Sequence, residues 1–249
     1  MIPTVDAVVE IVQMHKARPA LPVEPSGAAC ILARRLRSLR EGLDGLARQA
    51  SAVDAAAAAM VACLRGGGHV LTAGNGGSAA EAQHLATELV GRFLRERRPY
   101  AALSLTADTA VLTAIANDYG FDAVFSRQVR AHGRPGDVLV VLSTSGESAD
   151  LVAAVDAAHE VGMTVVVLTG APGSRLAARA DIALCAPAEQ TPLVQELHTV
   201  VLHVLCELVE TALAESDRDA PDRAGPAHAH ASGATGSDLA EPDRLVAAR

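Results

Sequence analysis

Apolar and polar positions alternate along this chain in blocks, and the blocks set its elements. Five short apolar runs, at 69–73, 101–105, 138–142, 164–168 and 181–185, have the length and composition of buried strands. Helical patterns at 78–93, 108–117, 122–132, 148–161 and 174–180 lie between them. Such alternation predicts right-handed crossovers and a parallel sheet covered on both faces. Ahead of it, residues 29–66 read as helix, with Ile31, Leu32, Leu36, Leu39 and Leu43 near the helical period. The segment 51–64 continues as a second helix or the far half of a bent one, and Gly66, Gly67 and Gly68 stop it. Residues 191–214 form the last long helix, with Pro192 suited to its first turn. The predicted class is α/β: a five-stranded parallel sheet with helices on both faces and a helical N-terminal segment.

The ends read differently. Residues 1–28 hold a short helix, VDAVVEIVQMH, and a proline-containing stretch, and form an extension to a domain spanning 29–214. From 215 to 249 the chain turns to Ala, Gly, Pro and Asp and has no aromatic residue. That composition cannot bury enough apolar surface to offset ordering, so a disordered tail is expected, with His228 and His230 solvated in it.

Half of the chain is apolar, mostly Ala, Val and Leu, and Phe93, Tyr100, Tyr119, Phe121 and Phe125 are its only Phe and Tyr residues. A core of small aliphatic side chains suits helices packed closely on a parallel sheet. A net charge of −8 argues against a nucleic-acid partner, and the cluster Arg92, Arg95, Arg97 and Arg98 is too short to reverse that. Cys30, Cys63, Cys185 and Cys206 show no close pairing and read as reduced thiols of a cytoplasmic protein. No apolar stretch approaches the roughly 20 residues that span a bilayer. The N-terminus carries Asp6 and Glu10 and lacks a basic start, so neither a signal peptide nor a membrane partner is expected.

Two turns carry the chemistry. The first apolar run ends in GNGGS, where Asn75, Gly76, Gly77 and Ser78 let a ligand approach backbone amides at a helix start. Gly74, Gly76 and Ala79 also satisfy the loose dinucleotide fingerprint. That fingerprint wants an acidic residue about 20 positions on, whereas Asp108 comes about 30 on, so no nucleotide cofactor is expected. After the third run, Ser143, Thr144, Ser145 and Ser148 gather four hydroxyls around Gly146, more than one helix cap requires. Hydroxyls and free amides at a helix start suit a phosphate without a lysine.

Further on, His84 and Glu88 lie one turn apart on one helical face, about 6 Å along the axis. Such a pair binds a metal ion or holds a base beside a substrate carbon. In the last helix Val194, Leu197, Val201, Val204 and Leu208 make the expected core stripe. Gln195, Thr199 and His203 lie opposite, together with Leu202 and Cys206. A helix apolar nearly all round is buried on both faces, which predicts packing against another subunit with His203 inside that interface. Gln195 and His203 are about 12 Å apart along a straight helix, so they do not easily reach one point. His198 points elsewhere and reads as structural.

These segments, GNGGSAAEAQHLATEL, TAIANDYGF, LSTSGES and QELHTVVLH, resemble the sugar isomerase (SIS) domain family and within it the phosphoheptose isomerases, from about residue 31 to 213. The resemblance implies a flavodoxin-like three-layer sandwich and a homotetramer with active sites between subunits. It also implies conversion of sedoheptulose 7-phosphate to D-glycero-D-manno-heptose 7-phosphate. Substrate contacts are implied at Asn75, Gly76, Gly77, Arg92, Asn117, Asp118, Ser143, Thr144, Ser145, Ser148 and Gln195. The implied acid-base pair is Glu88 and His203, and the implied zinc ligands are His84, Glu88, Gln195 and His203. The chain departs from the family pattern at Pro192, Leu193 and Glu147, which bears on substrate preference more than on the reaction. A non-catalytic relative binds the replication initiator protein. It lacks the carboxylate and imidazole that this chain keeps as Glu88 and His203, which favours the enzyme.

Overall fold

The computed structural model describes residues 27–170 and 172–218. Residues 1–26 and 219–249, and with them most of the expected extension and tail, lie outside the described residues. Two helices, α1 (Ala28–Ala47) and α2 (Ala50–Arg65), lead into β1 (Val70–Gly74). The break between them falls at Arg48 and Gln49. The Gln49 side-chain amide bonds both backbone groups of Cys185, accepting from its N–H at 2.9 Å and donating to its carbonyl. This pins the bend to the far strand.

Then follow α3 (Gly77–Val90), β2 (Ala102–Ser104), α4 (Thr109–Tyr119), α5 (Val124–His132), β3 (Val138–Ser143), α6 (Ala149–Val161), β4 (Thr164–Thr169), β5 (Ile182–Cys185) and α7 (Thr191–Arg218). The five strands pair in parallel in the order β2-β1-β3-β4-β5, as the alternating pattern predicts. Alternate strand residues serve the two faces. Val138, Val140 and Leu142 join a core with α1, α2, α3 and α7, whereas Leu139 and Val141 join a second core with α5 and α6. The result is a three-layer sandwich. The chain runs from β1 to β2 on one side and from β3 to β4 on the other, so the carboxyl ends of β1 and β3, paired at Gly74 and Leu142, flank a crevice at the switch point.

Three expectations change. The helix expected at 174–180 is a single 3-10 turn, Ala177–Arg179, because a segment so short gains too few hydrogen bonds to offset helix nucleation. The helix expected to run to residue 93 ends at Val90. Phe93, Leu94 and Arg95 give their backbone N–H groups to the Glu210 carboxylate instead. In α7 the buried stripe is Val194, Leu197, Val201, Leu205 and Val209, while Val204, expected in it, is 41% exposed beside Val200. Over Thr191–Ala214 that helix is also long and apolar enough to cross a membrane by length and composition. Its packing against α1, α2 and α3 accounts for the apolarity that the sequence reading did not count as a span.

Candidate active site

The glycine-rich and serine-rich turns both sit on the crevice. After the buried strand β1, Gly76 adopts φ +58°, a conformation that L side chains rarely take. Gly77 opens α3, and a Cβ placed on it would run into the Gln195 amide, so only glycine lets Gln195 lie across the first turn of that helix. No side chain caps α3 or α6, whereas Asp108 caps α4 by accepting from Ala110 N and Val111 N. The two helix starts that face the crevice therefore carry no side-chain cap in an anion's way.

In the second turn Ser143 Oγ accepts from Gly146 N at 3.1 Å and Ser145 Oγ from Glu147 N at 3.3 Å, which shapes the loop. Ser143 is buried, Thr144 and Ser148 are half-buried and Ser145 is exposed. Asn75 Nδ2 donates to the buried Asp150 Oδ2 at 2.8 Å and ties the two turns together.

About 10 Å along α3 from its start lies His84, whose Nε2 is 3.1 Å from Glu88 Oε1. The His203 ring of α7 meets the His84 ring edge-on with centroids 5.1 Å apart, and Phe93 stacks on it at 5.4 Å and 22°. Carboxylate 88 and imidazole 203, from separate helices, are thus gathered around His84 within one chain. His84 and Glu88 stay partly open to solvent, at 38% and 21% exposure. The remaining candidates fall elsewhere. Gln195 lies at Gly77, Asn117 donates to Asp118 at 2.7 Å on the exposed end of α4, and Arg92 is exposed, 3.8 Å from Glu96.

Between the helices sits a carboxylate that sequence reasoning missed. Glu81, buried one turn before His84, accepts from Thr199 Oγ1 at 3.2 Å and from Ser78. Burial pushes its pKa from 4.5 up to about 7 against those hydrogen bonds. Its neighbour His198, with Nδ1 4.0 Å away, is held neutral by burial at a pKa of about 4. Burial, reinforced by Glu88 and Glu210, pushes the Cys206 thiol up to about 12, so it stays protonated.

Residues 36–170 match the SIS domain family model. The phosphoheptose isomerase of Rhodospirillum rubrum is 56% identical over 164 residues, 66% of this chain and 87% of that protein. The phosphoheptose isomerase of Streptomyces coelicolor is 54% identical over 161 residues, 65% of this chain and 70% of that one. The chain belongs to the SIS-domain phosphoheptose isomerase family. Solved phosphoheptose isomerases share its fold. That of Francisella tularensis superposes with a TM-score of 0.72 at 37% identity, covering 75% of this chain and all of that one. That of Neisseria gonorrhoeae gives 0.67 at 45%, covering 74% and 96%. Within this SIS-domain chain the departures from the family pattern find local roles. Leu193 enters the core, Pro192 stays exposed in the first turn of α7, and Glu147 Oε1 accepts from Arg175 N at 3.0 Å.

Proposed function

We propose that this protein isomerises sedoheptulose 7-phosphate to D-glycero-D-manno-heptose 7-phosphate through an enediol. The observation that carries it is the gathering of Glu88 and His203 around His84, about two helical turns from an uncapped helix start that Asn75 ties to a second one through Asp150. The phosphate sits on the 143–148 turn and on the amides at Gly76 and Gly77. The roughly 10 Å to His84 leaves room for the carbon chain. Glu88 takes a proton from one of the first two carbons and returns it to the other. His203 gives and removes the proton at oxygen, so charge never accumulates on the enediol.

The protein works as a homotetramer in the cytoplasm, without a membrane or nucleic-acid partner. Helix α4 has no buried residue in one chain, which supports a neighbour using Asn117 and Asp118 to complete its own site. Zinc is the proposed ion. Its donors would be His84, Glu88, Gln195 and His203, and it would polarise the substrate carbonyl. Among the described residues no three His, Cys, Asp or Glu side chains are arranged to hold an ion, and Gln195 is turned to Gly77. Elemental analysis checks zinc, with about one ion per chain expected from a four-donor set.

The function is tested by incubating the purified protein with sedoheptulose 7-phosphate and following products by NMR. Appearance of the aldose heptose 7-phosphate is expected. An unchanged ketose, in protein whose circular dichroism shows it folded, overturns the assignment.

A further inference from the structure

The loop between α3 and β2 has a polar sequence, and Arg92, Leu94, Arg95 and Glu96 are exposed on it. Phe93 alone among residues 92–96 turns inward, and its ring lies nearly parallel to the His203 imidazole at 5.4 Å. His84 also meets that imidazole, edge-on at 81°. Two rings therefore pack on His203.

What shapes the loop is a buried ion pair. Glu210, two helical turns beyond His203 on the same face of α7, accepts from Phe93 N at 2.8 Å, Leu94 N at 2.9 Å, Arg95 N at 3.1 Å and Arg97 Nε at 2.9 Å. Arg97 in turn donates to the carbonyls of Leu89, Gly91 and Arg98, and to that of Glu88 at 2.7 Å. Its side chain and that of Glu210 are 4% and 1% exposed. One pair thus holds both the backbone of residue 88 and the phenyl ring packed on residue 203.

We infer that Phe93, fixed by the Arg97–Glu210 pair, is a positioning residue that sets the plane of the His203 ring for proton transfer. This rests on the isomerase reading, in which His203 serves the substrate oxygen. Phe93 itself moves no proton. An imidazole free to turn would leave the reactive geometry, and small misplacements cost large factors in rate.

The test compares Phe93→Ala and Phe93→Tyr with the wild-type full chain. The expected result with sedoheptulose 7-phosphate is a kcat roughly ten- to a hundredfold lower for Phe93→Ala. KM should stay within about twofold, since uniform binding is untouched, and Phe93→Tyr should restore kcat. Histidine-selective NMR reads the ring without turnover. The His203 signals should be sharp and displaced by the aromatic ring in wild type and Phe93→Tyr, and should lose that displacement in Phe93→Ala. Wild-type kcat in Phe93→Ala, failure of Phe93→Tyr to restore it, or His203 signals indifferent to the substitution overturns the inference. A wild-type protein that leaves the ketose unchanged sinks the isomerase reading instead, and the ring signals still decide the placement.

Discussion

Glu88 is where the chemistry is most exposed to test. A positioned acid-base group contributes about 10²–10⁴-fold to rate. Glu88→Gln should therefore abolish nearly all turnover while the thermal midpoint barely moves, and a tenth of wild-type activity would show that another group is the base. Glu81 makes a different prediction. Its folded pKa, raised to about 7, lies above the ordinary 4.5, so its protonated form favours the fold. That contribution is complete below pH 4.5 and is lost as pH rises through 7. Glu81→Gln stays neutral throughout. Its unfolding free energy relative to wild type should improve between pH 5 and pH 8 by on the order of 2–3 kcal/mol, measured by urea titration. A pH-independent difference would mean that Glu81 ionises normally. At this scale the sequence showed the groups that announce themselves by spacing, His84 with Glu88 and the serine cluster. It did not show Glu81 or Asp150, whose roles depend on burial and on partners 118 and 75 residues away.

Among the elements, α7 departs most from its pattern. It starts at Thr191 as expected but runs past 214 to Arg218, and Val204, which periodicity places in the core, is exposed. A helix packed on several neighbours has apolar residues nearly all round, so period does not say which side meets them. The strands were legible because a doubly covered parallel sheet needs continuous aliphatic runs. The end of α3 was not, because a residue 113 positions from Arg97 terminates it. That interaction carries a stability prediction. Removing one partner of a buried pair leaves the other uncompensated and costs about 3–5 kcal/mol. Glu210→Gln should destabilise by that order at neutral pH. Although burial alone would raise the Glu210 pKa, three backbone hydrogen bonds and the Arg97 charge bring it below its ordinary value. The deficit should therefore shrink as pH falls through the carboxylate range. Acid titration of both proteins followed by circular dichroism checks the sign.

For the whole molecule, the exposed Val200 and Val204 of α7 adjoin Leu43 of α1 along an apolar groove of about 350 Å³, and the exposed Leu36 lies two helical turns before Leu43 on the same face of α1. Exposed apolar side chains grouped in this way mark an interaction surface. Under the tetramer proposal, Val204→Asp should lower the mass seen by light scattering and reduce activity with it, because neighbours complete each site. An unchanged mass would place the interface elsewhere.

The strand order has a further consequence for how the protein is made. β1 pairs with β2 on one side and β3 on the other, and both follow it in the chain. At about 5–20 residues per second, the ribosome takes roughly 3–13 s to pass from Gly74 to Val138. During that interval the emerging polypeptide carries an aliphatic strand with a bare edge. The crevice between β1 and β3 does not exist until β3 has followed β1 off the ribosome.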